Sequence, residues 1–304
     1  MKTPRKPTLG FVLQLYINSP KFARLKPRSQ KDYERCCYTI LETKVGHATL
    51  KNVHIEKITA GMLTQAYEKW LMNIGERQAL YCKQVLSVAW RYAMTRDLVM
   101  HNPVAAIQTV TPKPRRVKWT REQVKIFLDT AYSKWEWRSM GLIVHMAYDW
   151  GQRVGDMRVL TWDCLDLDQC RIDLTQSKRN ADVHLPISKN LCNMLRNHKE
   201  EFGFQKYVAP KINIDRGLIR AYTETEIAPV INDIQVEANL PTKLNAQDLR
   251  RTAVTEMMEA GVDAVGLMQV TGHQNITSLK PYMVNTFSGA SKALAARGND
   301  DDEL

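Results

Sequence analysis

The segment TPKPRRVK at 111–118 constrains this chain more than any other stretch. Pro112 and Pro114 remove two backbone donors and push the residues before them out of the helical region, so no helix runs through the segment. Lys113, Arg115, Arg116 and Lys118 repel one another and favour an extended backbone. Just upstream, HNPVAAI closes a helical pattern, because Pro103 disfavours helix at Asn102. The 304 residues are therefore predicted to form two units, 1–111 and 119–304, joined by a basic linker at 112–118. Each unit is long enough to bury its own core.

The first unit reads as helices. FVLQLYI at 11–17 is a short apolar segment. Ser29 to Asp32 has the form of a capping box, followed by Tyr33, Cys36, Cys37, Ile40 and Leu41 at helical spacing. Thr59 is placed to cap a third helix, and a fourth is predicted from Glu76 to about Val99. In the second unit Thr120 and Gln123 form another capping box. Helices are expected to about Lys134, across 138–150, briefly after Arg153, and again across 225–239, 246–260 and 262–270, with a short one carrying Tyr282. RIDLTQSKRNADVHLPIS alternates apolar and polar residues around a polar turn, which predicts a hairpin with strands near 171–175 and 183–187. The fold class is mainly α with a small antiparallel sheet in the C-terminal domain (α+β).

Lys and Arg number 43 against 32 Asp and Glu, a net charge of +11. The excess is blocked: nine basic residues against two acids in 1–35, and six against one in 111–125. Such blocks favour a polyanionic partner through counterion release. No apolar run reaches 18 residues, so no membrane span is expected, and the N-terminus lacks the cleavage site of a signal peptide. The six cysteines form no CxxC pair and lie mostly in apolar helical patterns, which predicts reduced thiols. Cys164, Cys170 and His184 do not have the spacing of a zinc site, and Asp163, Asp166 and Asp168 lack the Gly and Glu of a calcium loop. No metal site is expected.

Five local contexts stand out. GQRVGD places Arg153 three residues before Asp156, on one helix face. The hairpin carries Lys178 near its tip. QDLR puts Gln247 and Arg250 at i and i+3. TGH sets His273 after a glycine at a helix end, and Tyr282 follows nine residues later. Taken singly, each residue reads as an ordinary ion pair, a solvated lysine or packing. Their order and spacing carry the signal.

In that order the residues resemble the tyrosine recombinases, the phage-integrase family of site-specific DNA recombinases. The family shows Gly-x-Arg-x-x-Glu/Asp, a Lys in a β-hairpin, His-x-Leu-Arg, and Leu-Gly-His followed nine residues on by a nucleophilic Tyr. LSVAWRYAMTRDLVMHNP resembles the end of that family's core-binding domain. The resemblance implies a helical core-binding domain at 1–111 and a catalytic domain at 119–304, clamping a duplex. It implies that Tyr282 is the nucleophile and that Arg153, Arg250 and His273 stabilise the transition state. Lys178 would be the general acid, with Asp156 orienting Arg153. Energy is kept in a phosphotyrosyl bond, so neither ATP nor metal is implied.

The implied partners are double-stranded recombination sites, a homotetramer on two paired sites, and an accessory DNA-bending protein. The implied location is the cytoplasm of a bacterial or phage-infected cell, at the nucleoid. Gln247 departs from the pattern, since it stands where the family has His and an amide cannot accept the tyrosine proton near neutral pH. That departure keeps two alternatives open: a non-catalytic DNA-binding regulator, or a nicking enzyme similar to type IB topoisomerases.

Overall fold

The computed structural model describes residues 7–113, 115, 117–178, 180–213, 217–241, 243–279 and 287–296. It divides into two units, Met1–Pro114 and Arg115–Leu304. The division falls inside the basic segment and leaves Arg115 with the second unit.

The first unit holds α1 (Leu9–Ile17), α2 (Pro20–Ala23), α3 (Pro27–Glu42), a two-residue ladder of β1 (Lys44–Val45) and β2 (Ala48–Thr49), α4 (Ala60–Ile74) and α5 (Glu76–Met94). The caps follow the local chemistry. The Thr8 and Thr59 hydroxyls accept from the N–H groups of Phe11 and Met62, satisfying donors that a helix start leaves open. α3 begins at Pro27, earlier than Ser29 suggested, because proline at the first helical position is already set in φ and has no N–H to satisfy. Ser29 therefore lies within the first turn. α5 stops at Met94, short of Val99. The chain reverses through Asp97 at φ +55°, and Trp90 Nε1 donates to the His101 carbonyl at 2.8 Å. Leu13, Tyr16, Cys36, Ile40, Leu63, Tyr67, Val85, Leu86 and Trp90 are among the side chains packed into one core.

The second unit is larger. It contains α6 (Arg121–Ser133), α7 (Arg138–Asp149), α8 (Val154–Met157), β3 (Leu165–Asp166), β4 (Arg171–Thr175), β5 (Asp182–Pro186), α9 (Lys189–Phe202), β6 (Lys211–Asn213), β7 (Leu218–Arg220), α10 (Glu224–Glu237), α11 (Ala246–Glu259), α12 (Ala264–Thr271) and α13 (Phe287–Ala296). The Thr120–Gln123 capping box forms, with reciprocal bonds of 2.9 and 3.1 Å. β3, β4 and β5 make one antiparallel sheet in that order. In it Ile172 pairs with Leu185 and Leu174 with Val183, and all four face the core. The small β6–β7 ladder has no counterpart in the sequence-based expectation.

α7 is buried along most of its length, from Ser139 to Ala147, and α6, α10 and α11 pack against it. A helix enclosed in this way is apolar on nearly every face, and the chain leaving its C-terminal end leads directly to Arg153. Cys170 and Cys192 are bonded to each other, with their Cα atoms 5.8 Å apart. The expectation that all six cysteines are thiols is thus corrected. Twenty-two residues apart in sequence, these two are brought together because the residue before β4 lies against the first turn of α9. Among the described residues no helix is long and apolar enough to cross a membrane.

Candidate active site

After α7 the chain turns through its C-cap Trp150 and through Gly151, which adopts φ +60°. A β-carbon there would be strained, and would sit 3.3 Å from Met257 Cε. This turn sends Gln152 inward and brings Arg153 to the N-terminus of α8. Gln152 is fully buried, its Nε2 donating to the carbonyls of Trp150 and Val270 at 2.9 and 2.7 Å. Arg153 is partly exposed and lies 3.7 Å from Asp156 Oδ2. Its shorter contact is to a residue far along the chain: Nη1 donates to Gln176 Oε1 at 2.7 Å.

Gln176 continues the inward phase of Ile172 and Leu174, and it is fully buried. Its backbone N–H donates to the Ala181 carbonyl at 2.9 Å, and its own carbonyl accepts from Asn180 N–H at 3.0 Å. The turn is thereby closed, with Asn180 at φ +50°, and Lys178 stands exposed at its tip. The other Asp156 oxygen, Oδ1, accepts from the Ser177 backbone at 3.0 Å and from the Ser177 hydroxyl. Asp156 thus ties the residue before Lys178 to α8, besides facing Arg153.

α11 and α12 supply the remaining groups. Arg250 is buried and its Nη2 donates to the Thr271 carbonyl at 2.5 Å. Gln176 Nε2 donates to that same carbonyl at 2.9 Å, and to Gln152 Oε1 at 2.7 Å. α12 ends there with Gly272 in the left-handed conformation, φ +65°. A β-carbon on Gly272 would meet the Gln176 carboxamide at 2.9–3.0 Å, so the missing side chain is what allows this approach. His273 follows, its Nδ1 2.6 Å from Thr271 Oγ1. That hydroxyl gives its proton to the Leu267 carbonyl, so Nδ1 is the donor and, in the neutral ring, the lone pair sits on Nε2.

Arg153, Arg250 and His273 therefore converge on Gln176 and Thr271, with Lys178 two residues further along the same hairpin. Gln247 is exposed on the first turn of α11, one turn ahead of Arg250. Tyr282 lies outside the described residues. Sequence reasoning passed over Gln152, Gln176 and Thr271. A signal existed for one of them, since a glutamine in the apolar phase of a strand is out of place unless its amide is satisfied. Among the described residues no group of three or more His, Cys, Asp or Glu is arranged to hold a metal ion. Asp166 Oδ1 instead accepts from the N–H groups of Asp168 and Gln169, which makes those acids a turn.

The site gathers two guanidinium groups and an imidazole: Arg153 on the Gln176 carboxamide and near Asp156, Arg250 on the Thr271 carbonyl, and His273 on the Thr271 hydroxyl. Such a site on a mainly helical α+β scaffold suits an oxyanion such as a phosphodiester. The chain belongs to the phage integrase family, whose model matches residues 118–288. Members of this family cleave and rejoin DNA strands. The tyrosine recombinase XerC of Pediococcus pentosaceus is 20% identical over 200 residues, a match covering 64% of this chain and 66% of that protein's own length. The fold matches a lambda integrase dimer bound to a COC′ core site with a TM-score of 0.75 at 18% identity, over 98% of this chain and 80% of that one. It also matches the Tn1549 transposon integrase in complex with transposon right-end DNA, with a TM-score of 0.73 at 16% identity, over 94% and 99%. A lambda integrase tetramer bound to a Holliday junction gives 0.71 at 17% identity, over 99% and 81%.

Proposed function

We propose that this protein is a site-specific recombinase that cuts and rejoins duplex DNA through a 3′-phosphotyrosyl intermediate. The Tyr282 hydroxyl loses its proton to water or His273 as its oxygen attacks the scissile phosphorus, the bond to the 5′-oxygen breaks, and Lys178 gives that oxygen its proton. Arg153 and Arg250 hold the negative charge that builds on the non-bridging oxygens, and His273 adds a third contact. The released 5′-hydroxyl of a partner strand then attacks the phosphotyrosyl bond and regenerates the tyrosine. Bond energy is conserved, so the scheme calls for neither nucleotide nor metal. The unit before the linker and the unit after it would each take one side of the duplex, as core-binding and catalytic domains. Exchange of four strands calls for a tetramer on two paired sites, aided by a DNA-bending protein, in the cytoplasm at the nucleoid.

The observation that carries this reading is the Thr271 carbonyl shared by Arg250 and Gln176, because it joins two arginines remote in sequence beside His273. One observation favours a second reading, a DNA-binding regulator without turnover: Gln247 offers an amide where the family has an imidazole. A nicked suicide duplex separates the two. Wild type should accumulate a covalent adduct, and Tyr282→Phe should form none while binding within about 1 kcal/mol of wild type, because one hydroxyl adds little to a phosphate-dominated interface. Binding without adduct in wild type would leave the regulator. Relaxation of a supercoiled plasmid lacking paired sites would indicate a topoisomerase-like nickase.

A further inference from the structure

We infer that Arg115 is a positioning residue for strand cleavage, acting through Asp248 on the first turn of α11; the inference rests on the function proposed above. Position 115 lies in the most basic stretch of the chain, where an arginine is ordinarily assigned to a DNA phosphate. Its guanidinium is otherwise engaged. Nε donates to Asp248 Oδ1 and Oδ2 at 3.1 and 2.9 Å, Nη2 lies 2.8 Å from Oδ2, and Nη2 also donates to the Lys243 carbonyl. The Asp248 side chain is only 5% exposed, so its carboxylate needs a partner of this kind. The hydrogen bonds to Asp248 in turn raise the Arg115 pKa above its ordinary value.

The contact belongs to a longer seam. Asp248 Oδ2 also accepts from the Asn245 backbone N–H at 3.1 Å, which closes the start of α11. Trp119 Nε1 donates to the Asn245 carbonyl at 3.0 Å, and the Trp119 backbone N–H donates to Thr252 Oγ1 at 2.9 Å. Residues 115 and 119 thus secure the first two turns of α11. Gln247 immediately precedes Asp248, and Arg250 lies two residues after it with Nη2 on the Thr271 carbonyl. Any shift of this helix start moves both groups relative to the phosphate, and a misplacement near 1 Å can cost roughly 10²-fold in rate. Arg115 holds geometry, and Asp248 cancels the charge it would bring to DNA.

The test uses the full chain with Arg115→Lys, Arg115→Ala, Asp248→Asn and the Ala/Asn double variant. DNA affinity, its salt slope and the single-turnover cleavage rate are measured on a suicide duplex. Amide hydrogen exchange at residues 250–254 is followed without DNA. Each single variant, Lys included, should cleave about tenfold more slowly with affinity and salt slope nearly unchanged, because a lysine cannot reproduce the bidentate fork. The double variant should be no slower than the slower single one, and exchange at 250–254 should be faster. The inference is overturned if Lys restores the wild-type rate while Ala weakens binding and reduces the salt slope by about one, the signature of a phosphate contact. It is also overturned if every variant cleaves like wild type. Should wild type itself form no adduct, the function proposed above fails, and exchange alone then decides. Unchanged protection in Arg115→Ala would overturn the coupling, and faster exchange would support it.

Discussion

Gln176 Oε1 accepts from the Arg153 guanidinium at 2.7 Å, while Gln176 Nε2 donates to Gln152 and to the carbonyl that also holds Arg250. One buried carboxamide thereby sets the relative positions of two arginines nearly a hundred residues apart. Gln176→Ala would leave Gln152 Oε1 short of a donor and Arg153 short of an acceptor. The expected cost is about 1–3 kcal/mol of stability, with cleavage slowed by roughly tenfold or more. Gln176→Glu should be worse for stability, since it places a carboxylate oxygen against the Thr271 carbonyl in place of a donor. Urea unfolding together with single-turnover cleavage measures both effects, and wild-type values in Gln176→Ala would remove the residue from the site.

Gly272 carries a second prediction. Alanine there would be strained by φ and would also meet Gln176 at 2.9–3.0 Å, whereas Gly217, at φ +56°, has nothing within 4 Å. Gly217→Ala should show the backbone penalty alone, about 1 kcal/mol, and Gly272→Ala should exceed it by a further 1 kcal/mol or so. Only the Gly272 variant should also slow cleavage, because its turn delivers His273. Equal losses of stability in the two variants would mean that the close approach to Gln176 has no energetic weight.

The charged groups should separate by role. Arg153→Ala and Arg250→Ala are each expected to slow cleavage by roughly 10²-fold or more, as for the loss of a positioned transition-state donor. Lys178→Ala should lose as much, but a substrate with sulfur at the 5′-bridging position should restore most of the rate, since that leaving group needs no proton. Failure of the rescue would reassign Lys178 to DNA positioning and turn attention to Arg179, which lies outside the described residues, or to Lys189 at the start of α9.

Gln247 is exposed one turn before Arg250, and we propose that it donates a hydrogen bond to an incoming phosphate. On this reading Gln247→His changes the cleavage rate little, and Gln247→Ala costs a few kcal/mol of barrier. A general-base role for the position predicts instead that His speeds cleavage by roughly 10²-fold and introduces a pH dependence near an imidazole pKa of about 6.5. Rate against pH for the three proteins decides between them. Identical rates for wild type and Ala would defeat the donor role.

Binding should respond steeply to salt, with a log–log slope of roughly −5 or steeper if six or more phosphates are contacted, and cleavage should survive a chelator. A flat salt response would contradict the DNA clamp, and full inhibition by EDTA would contradict the metal-free scheme.

The sequence by itself determined what depends on near neighbours. The helical stripes of Leu63, Ala66, Tyr67 and Trp70, the Thr120–Gln123 box, the alternation of β4 and β5, and the glycines before Arg153 and His273 all act within a few residues. They could be read directly from spacing. Short motifs likewise singled out Arg153, Lys178, Arg250 and His273 by residue type and order, and three of these, Arg153, Arg250 and His273, meet around Gln176 and Thr271. The tertiary structure alone decided which groups meet: Gln176 with Gln152, Arg153 and Thr271, Arg115 with Asp248, Cys170 with Cys192. A carboxamide or a guanidinium has the same local signature whether water or a buried partner satisfies it. Its partner is chosen only when α7, α11, α12 and the hairpin pack, and burial then makes each unsatisfied polar atom costly.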